Sequence, residues 1–353
     1  MKALTYSRYG PPEVVDIRDV PRPRTASGQV LVRVHASAVN TSDWRIRAAA
    51  FPGITALPGR VMFGLLRPRN PRLGSEYAGV VEEVGDGVTR FAVGDRVFGM
   101  TTGGGASAEY LAVSAQSAIA RIPDGTSFEQ AAALPFGGLA ALVFLTQFAN
   151  VQSGQRVLIV GATGGVGAYA VQIAKALGAH VSGVSGRDSQ AFLKSLGADI
   201  AIDYTQTELS GIADRFDVIL DTIGTMHPRV ARSLLRPGGT FLPLNMGLRE
   251  IAAALQNPFR SRKVRLAVNP DRAEDLASLA GMVAEGKVVP VIDSVFPLEE
   301  ARQAHAYVEK RHRRGAVILK VRECSRTVRS QSNRAARKNP LQTGSVGTKR
   351  CES

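Results

Sequence analysis

Cysteine is almost missing from this chain of 353 residues, which holds only Cys324 and Cys351, both near its end. Neither a disulfide framework nor a cysteine-ligated zinc lobe can be built in the body of the protein. Long apolar runs are missing too. None approaches the roughly 20 residues that span a bilayer, and Met1-Lys2-Ala3-Leu4 leads into a strand-like segment rather than the apolar centre of a signal peptide. A soluble, cytoplasmic protein without a membrane partner is expected. Histidine is sparse, and His35, His180, His227, His305 and His312 are scattered without metal-ligand spacing. All five are expected to be structural or exposed, and no metal is predicted.

Acidic residues are outnumbered, giving a net charge of +14. Six of those excess charges lie from Arg322 onward, where eight Lys/Arg face only Glu323 and Glu352. That stretch, residues 322–353, is rich in Ser, Arg, Asn and Gln and nearly devoid of large apolar side chains. It cannot offset its ordering entropy and is expected to be a solvated, disordered tail. Nucleic acid is not the expected partner; an RNA- or membrane-binding arm is the alternative reading of the tail.

The remainder, in a chain that is 44% hydrophobic, is long enough for two domains. Its first 120 or so residues read as short strands separated by Gly and Pro, among them Gln29 to His35, Tyr77 to Val84 and Asp95 to Gly99. Between them, Trp44 to Leu73 is a Pro/Arg-rich stretch longer than a usual connection, with an apolar patch at Val61 to Leu66, and is predicted to be a substrate-facing loop. From Phe128 the pattern turns to helix and then to strands alternating with helices, as in a parallel sheet covered on both faces. The predicted strands are Arg156–Val160, Ala179–Ser185, Ile200–Asp203, Phe216–Asp221, Thr240–Leu244 and Lys263–Val268, with Gly178 and Gly197 as helix C-caps. After Pro270 a helix, a strand, a helix and a last strand from Ala316 to Val321 return to the first module.

The strand Arg156–Val160 runs directly into Gly161-Ala162-Thr163-Gly164-Gly165-Val166-Gly167 and then a helical stretch to Leu177. Strand, glycine turn and helix in that order form a dinucleotide-binding signature. Gly164 lets backbone approach a pyrophosphate, Gly167 lets the helix lie close to the sheet, and the helix N-terminus offers N–H groups to the phosphates. Ala162 replaces the first glycine of the G-x-G-x-x-G pattern. The end of the next strand, Val184-Ser185-Gly186-Arg187, has no carboxylate for the ribose hydroxyls of NAD. Arg187 is suited instead to a 2′-phosphate, so NADPH is the expected cofactor.

Ala38-Val39-Asn40-Thr41-Ser42-Asp43, Gly74-Ser75-Glu76-Tyr77-Ala78-Gly79-Val80-Val81, Val93-Gly94-Asp95-Arg96-Val97, Ala108-Glu109-Tyr110, Glu129 to Pro135, the glycine turn, Leu196-Gly197-Ala198-Asp199 with Ile202-Asp203-Tyr204, and Pro237-Gly238-Gly239 together carry a family likeness. To about Val321 the sequence resembles the medium-chain dehydrogenases/reductases, specifically their zinc-independent, quinone-oxidoreductase-like branch. The resemblance implies an α/β fold in which a chaperonin-10-like β-rich catalytic domain (1–122 and 269–321) is interrupted by a Rossmann doubly wound parallel-sheet domain (123–268). It implies substrate in the cleft between them, and a homodimer. Zinc-dependent relatives have cysteine where Asn40 stands and histidine where Ser75 stands.

By the same resemblance Asn40 and Asp43 line the nicotinamide end of the cleft and orient substrate, with Tyr77 and Trp44 as a candidate aromatic wall. The alternatives are loop hydrogen bonding for Asn40, helix N-capping for Asp43, and the core for the two aromatics. Cofactor contacts fall on Thr163, Gly164, Gly165, Val166 and Gly167, on Ser185, Arg187 and Tyr204 at the adenine-ribose side, and on His312 and Arg314 near the C-terminal return. Two positions depart from the family: Ala316 stands in place of a lysine, and Ala140 in place of a threonine. Without a Lewis acid a quinone or α,β-unsaturated carbonyl accepts hydride more readily than a simple ketone. The expected activity is hydride transfer from NADPH to such an acceptor. NADP-dependent alcohol dehydrogenase or carbonyl reductase activity, and an NADPH-binding sensor or nucleic-acid-binding protein without turnover, are the alternatives.

Overall fold

The computed structural model describes residues 1–51, 53–310 and 313–322, and Met1–Arg322 forms one compact unit. His312 and, apart from Arg322, the expected tail lie outside the described residues.

The first module is antiparallel. Its strands are β1 (Lys2–Tyr6), β2 (Val15–Asp19), β3 (Gln29–Val39), β4 (Glu76–Val84), β5 (Arg96–Met100), β6 (Tyr110–Ser114) and β7 (Ile119–Arg121). β1 and β2 pair as a ribbon, while β3 is the long central strand that pairs both β4 and β6. The predicted loop after β3 instead holds two helices, α1 (Thr41–Ala48) and α2 (Ala56–Phe63). Short helices α3 (Phe128–Ala132) and α4 (Pro135–Val143) then lead into the second sheet. Ser127 caps α3 and Pro135 opens α4, each a favoured helix-start residue.

The second sheet alternates strands and helices: β8 (Arg156–Val160), α5 (Gly167–Ala176), β9 (His180–Ser185), α6 (Gln190–Ser195), β10 (Ile200–Asp203), β11 (Phe216–Asp221), α7 (Pro228–Leu234), β12 (Leu235–Pro243), α8 (Leu248–Leu255) and β13 (Lys263–Val264). Every pairing is parallel, in the order β10-β9-β8-β11-β12-β13. The chain moves outward from β8 in one direction and then from β11 in the other, so the crevice at their C-terminal ends is the place where such sheets bind ligands. The sixth strand is shorter than the predicted Lys263–Val268, since it pairs with β12 only at Lys263 and Val264.

After α9 (Ala273–Ala284), β14 (Ile292–Pro297) and α10 (Ala301–Glu309), the last strand β15 (Ala316–Lys320) lies antiparallel to β3, which returns the chain to the first sheet. A single apolar core joins the modules, with Ala36, Ala78, Phe98 and Ile318 of the first packed in one cluster with Leu139, Val157, Tyr169 and Leu220 of the second. Burying each such Leu or Phe contributes about 1.5–3 kcal/mol. The relative placement of the two sheets is thus held by core rather than by a few surface bonds.

Candidate active site

The glycine turn sits at the C-terminal end of β8, and each of its glycines has its own steric reason. Gly161 has φ +74°, and a Cβ there would lie 2.6 Å from Ile223 Cγ2. It supplies the left-handed bend, which is why Ala162 is tolerated next to it. A Cβ on Gly167 would lie 2.1 Å from the Gly161 carbonyl oxygen, so α5 can start this close to the strand only with glycine. Gly164 and Gly165 differ, having their Cβ directions open to contact distances of 3.4 Å or more. That open cradle, between β8 and the N–H groups of the first turn of α5, fits a pyrophosphate. Thr163 and Val166 flank it, half-buried. From behind, Gly137 of α4 presses on the turn, with no room for a Cβ beside the Gly165 carbonyl.

Ser185 ends β9, and Tyr204, which follows β10, donates its N–H to the Ser185 carbonyl at 3.2 Å. Ser185 is buried and accepts a hydrogen bond from Gln190 Nε2 at 2.9 Å, and Tyr204 stands against Gly186, with its ring largely in solvent. Arg187 is 69% exposed, its Nε 3.7 Å from Asp203 Oδ2. Arg314 reaches the same loop from the C-terminal return, donating to Asp188 O at 2.6 Å and Ser189 Oγ at 3.0 Å. Its guanidinium is therefore tied to protein groups.

Its neighbour Arg313, which the sequence did not single out, occupies a more central place. The guanidinium donates to Thr41 Oγ1 at 3.1 Å, and a Cβ on Gly165 would stand 3.6 Å from its Nη2. This cation lies beside the phosphate cradle, in the field of Glu76, Asp293 and Asp43, where burial lowers its pKa. Nothing in the sequence separates two adjacent arginines; only the direction each takes from the strand entry does.

Across from the turn, α1 begins at Asn40, whose Oδ1 accepts from the Ser42 and Asp43 N–H groups at 2.8 and 3.1 Å. The Asp43 carboxylate accepts the Asn40 N–H at 2.9 Å in return, a reciprocal capping box. Asn40 is therefore the cap, and Asp43 the third helical residue rather than the cap. The Asn40 amide also donates 2.8 Å bonds to Ser75 Oγ and Glu76 Oε2, and Glu76 Oε1 accepts the Phe136 N–H at 2.7 Å. One buried network thus ties α1, β4 and α4 together. Burial raises the Glu76 carboxyl to about 8 against its Asn40 and Phe136 donors, and raises Asp43 to about 6 against hydrogen bonds from Asn40 and Ser75.

Asp43 and Ser75 open onto a cavity of about 360 Å³ whose walls include Tyr6, Met62, Phe63, Arg69, Phe136 and Asp271. The segment predicted to face substrate, Trp44 to Leu73, does supply part of this wall. Tyr77 and Trp44 do not: Tyr77 is fully buried in the core of the first sheet, and Trp44 packs with Leu4, Leu73 and Leu319. The alternating side-chain directions of β4 aim Tyr77 away from the cavity that its neighbour Glu76 supports. The aromatics present are Tyr6, Phe63 and Phe136. Tyr6 came from a strand with no motif, and Asp271, raised to about 6 by burial and hydrogen-bonded by Asn269, from a loop. Sequence carries no signal for either.

The four described histidines have structural places. His35 stacks on Phe128, His180 lies 3.1 Å from Asp199, and His227 caps α7. His305 is buried, its pKa driven down to about 3 by burial and by Arg47. Among the described residues no group of three or more His, Cys, Asp or Glu is placed to hold a metal ion.

A family model described as an alcohol dehydrogenase GroES-like domain matches residues 26–124, and one described as a zinc-binding dehydrogenase matches residues 196–319. The chloroplast envelope quinone oxidoreductase homolog of Arabidopsis thaliana is 33% identical over 90% of this chain and 98% of its own length. Among solved structures, the quinone oxidoreductase from Coxiella burnetii superposes with a TM-score of 0.81 at 31% identity, over 91% of this chain and 99% of that one. The Escherichia coli quinone oxidoreductase complexed with NADPH gives 0.77 at 25%, over 91% and 100%. Likeness over nearly the whole length of both relatives and neighbours, on the same two-sheet frame, places this chain in the quinone-oxidoreductase-like branch of the medium-chain dehydrogenase/reductase family, as an oxidoreductase.

Proposed function

We propose that the chain reduces a quinone or an α,β-unsaturated carbonyl with NADPH, without a catalytic metal. The observation that carries the reading is the open cradle at Gly164 and Gly165, with Arg313 beside it and the Asp43–Ser75 cavity across from it. The pyrophosphate would rest on the turn Thr163–Gly167 and Arg313, and the 2′-phosphate by Arg187, near Ser185 and Tyr204. Arg187 and Arg314 are both held at that end of the cleft by protein oxygens. The NADPH of the Escherichia coli neighbour supports this assignment.

When bound, the nicotinamide supplies the hydride. The protein supplies position. Asn40 and Ser75 are poor zinc ligands by chemistry, one a carboxamide and the other a neutral hydroxyl, and both are already committed to the capping network. Their part is to fix α1 and thereby the wall of the cavity. Tyr6 is the candidate donor to the substrate oxygen as it gains charge. It lines the cavity, and burial, with Tyr9 and Asp43, raises its pKa above the usual range so that it stays protonated. The proton that completes reduction then comes from water, and rate derives chiefly from orientation and exclusion of bulk solvent.

The domain division that fits this reading is 1–122 with 269–321 against 123–268, and a cytoplasmic homodimer is its expected form. Leu248 and Leu255 of α8, together with Phe259 and Val268, which precede and follow β13 in the chain, are exposed, and β13 is the edge strand of the parallel sheet, where self-association would cover apolar surface.

The test is NADPH and NADH oxidation by purified protein over parallel panels of quinones, enones, enals and simple ketones. Quinone or enone turnover with NADPH well above ketone turnover is expected. Tight NADPH binding with no turnover on any acceptor would sink the catalytic half of the proposal, and faster ketone reduction would replace it with carbonyl reduction.

A further inference from the structure

Between Asp43 and Glu76 the chain has six arginines and no Asp or Glu. Four of the six are used internally. Arg47 is buried and pairs with Glu309 at 2.6 Å, and Arg45 donates to Asn245 at 3.1 Å. Arg60 donates to Leu65 O at 3.2 Å and stands over the Tyr9 ring, and Arg72 donates to Asn70 Oδ1 at 3.5 Å, both half-buried. Arg67 and Arg69 are exposed and form no ion pair with any described residue. The same stretch is also unusually apolar on its outside. No residue of α2 is buried, and Leu57, Val61 and Met62 are 69%, 54% and 60% exposed. The turn that follows adds Leu65 and Leu66, at 59% and 84%. Leu57 and Val61 are one helical turn apart, so they share a face.

Five large apolar side chains left in water beside the exposed cations Arg67 and Arg69 mark a surface that meets something. We propose that α2 and the turn from Gly64 to Arg72 dock on an anionic lipid surface. A short helix with an apolar outer face and cationic flanks lies in the headgroup region of a bilayer, aliphatic groups inward and guanidinium groups at the phosphates. The charge selects this occupant. A second copy meeting the patch about a two-fold axis would oppose the exposed guanidinium groups of Arg67 and Arg69 with the same two, and no acidic residue in the stretch relieves that repulsion.

The patch is continuous with the cavity, since Met62, Phe63, Arg69 and Arg72 line it. A docked molecule would hold the cavity mouth at the membrane, where a lipophilic acceptor partitions. That consequence rests on the substrate reading proposed above, whereas docking does not. The sequence alone suggested no membrane partner because it lacks a span, and docking at the interface needs none.

The experiment is flotation of the full-length chain with phosphatidylcholine vesicles, with and without one part in four phosphatidylglycerol. The comparison is a Leu65→Ser/Leu66→Ser/Arg67→Glu variant, none of whose positions lines the cavity. The wild type is expected to float with the anionic vesicles only, and to be released by salt. The variant should bind them at least roughly tenfold more weakly, since one lost cation near such a surface already amounts to about fivefold. Its NADPH oxidation with a water-soluble quinone should be unchanged. Equal flotation of both proteins would assign any binding to the Lys/Arg-rich residues after Arg322 and overturn the proposal. So would no flotation of either, or a change of oligomeric state confined to the variant, which would show that the patch covers a second copy. Flotation is read without substrate, so an inactive enzyme in the quinone assay leaves this result intact.

Discussion

Replacing Glu76 by Gln tests whether the buried network beneath the cavity holds a neutral carboxyl or a charge. Burial raises this carboxyl from 4.5 to about 8. A carboxyl whose pKa rises on folding stabilises the folded state fully below its unfolded pKa, and that contribution is lost as pH climbs through the folded value. Wild-type stability should therefore fall between about pH 4.5 and 8 from this group. The slope approaches roughly 1.4 kcal/mol per pH unit, a total on the order of 5 kcal/mol.

Glutamine does not titrate, so the variant lacks that slope. It carries a constant penalty instead. Glu76 Oε1 and Oε2 accept from Phe136 N and Asn40 Nδ2, and one carboxamide oxygen replaces both, leaving a buried donor unmet at a cost of about 1–3 kcal/mol. At pH 5 the variant should be the less stable protein by that amount. By pH 9 the gap should close or reverse. Urea unfolding at unit pH steps, followed by tryptophan fluorescence from the single Trp44, measures it. A gap that stays constant, or widens as pH rises, would mean that the two N–H donors keep Glu76 ionised throughout, and the reasoning fails.

Other perturbations separate the parts of the cleft. Gly167→Ala sets a Cβ 2.1 Å from the Gly161 oxygen and should cost folding itself, whereas Gly164→Ala, whose nearest contact is 3.4 Å, should fold normally and lose dinucleotide affinity. Thermal melts with NADPH fluorescence titration tell these apart, and equal melting temperatures would contradict the close helix start. Arg187→Ala should weaken NADPH binding by roughly tenfold, as expected for one exposed charged hydrogen-bonding partner, with little change for NADH. A matching loss for both cofactors would remove Arg187 from the 2′-phosphate. Tyr6→Phe should lower kcat on a quinone by tenfold or more while sparing KM, the pattern for a donor that acts as charge develops; an unaltered kcat excludes it.

Much of the fold was legible because the physics behind it is local. β8 reads as Arg-Val-Leu-Ile-Val, a run buried on both faces of a parallel sheet, and β10 and β11 fall on their predicted residues. Gly178 and Gly197 take left-handed φ angles of +80° and +99° where helix ends require them. The segment after Asn40 was harder. Its two helices have little sequence periodicity, and α1 is specified by a capping box whose Asp43 also serves a buried network. The direction of Tyr77 was likewise undecided, since a strand pattern does not say which face meets the cavity.

The sequence by itself determined that a dinucleotide turn is present, because strand, glycines and helix act on one another within a few residues. The residue types Asn40 and Ser75 were equally visible there, and the family resemblance is what sets them against the zinc ligands of zinc-dependent relatives. Only the tertiary structure could bring Arg313 to Gly165, Tyr6 to Asp43, or Asp271 to the same cavity. Those residues lie far apart in the chain, and what places them together is the return of β15 onto β3 and the core shared by the two sheets. The exposure of α2 was of the same kind. An apolar run is an invitation to burial in sequence, and its meaning changes once the fold leaves it exposed beside Arg67 and Arg69.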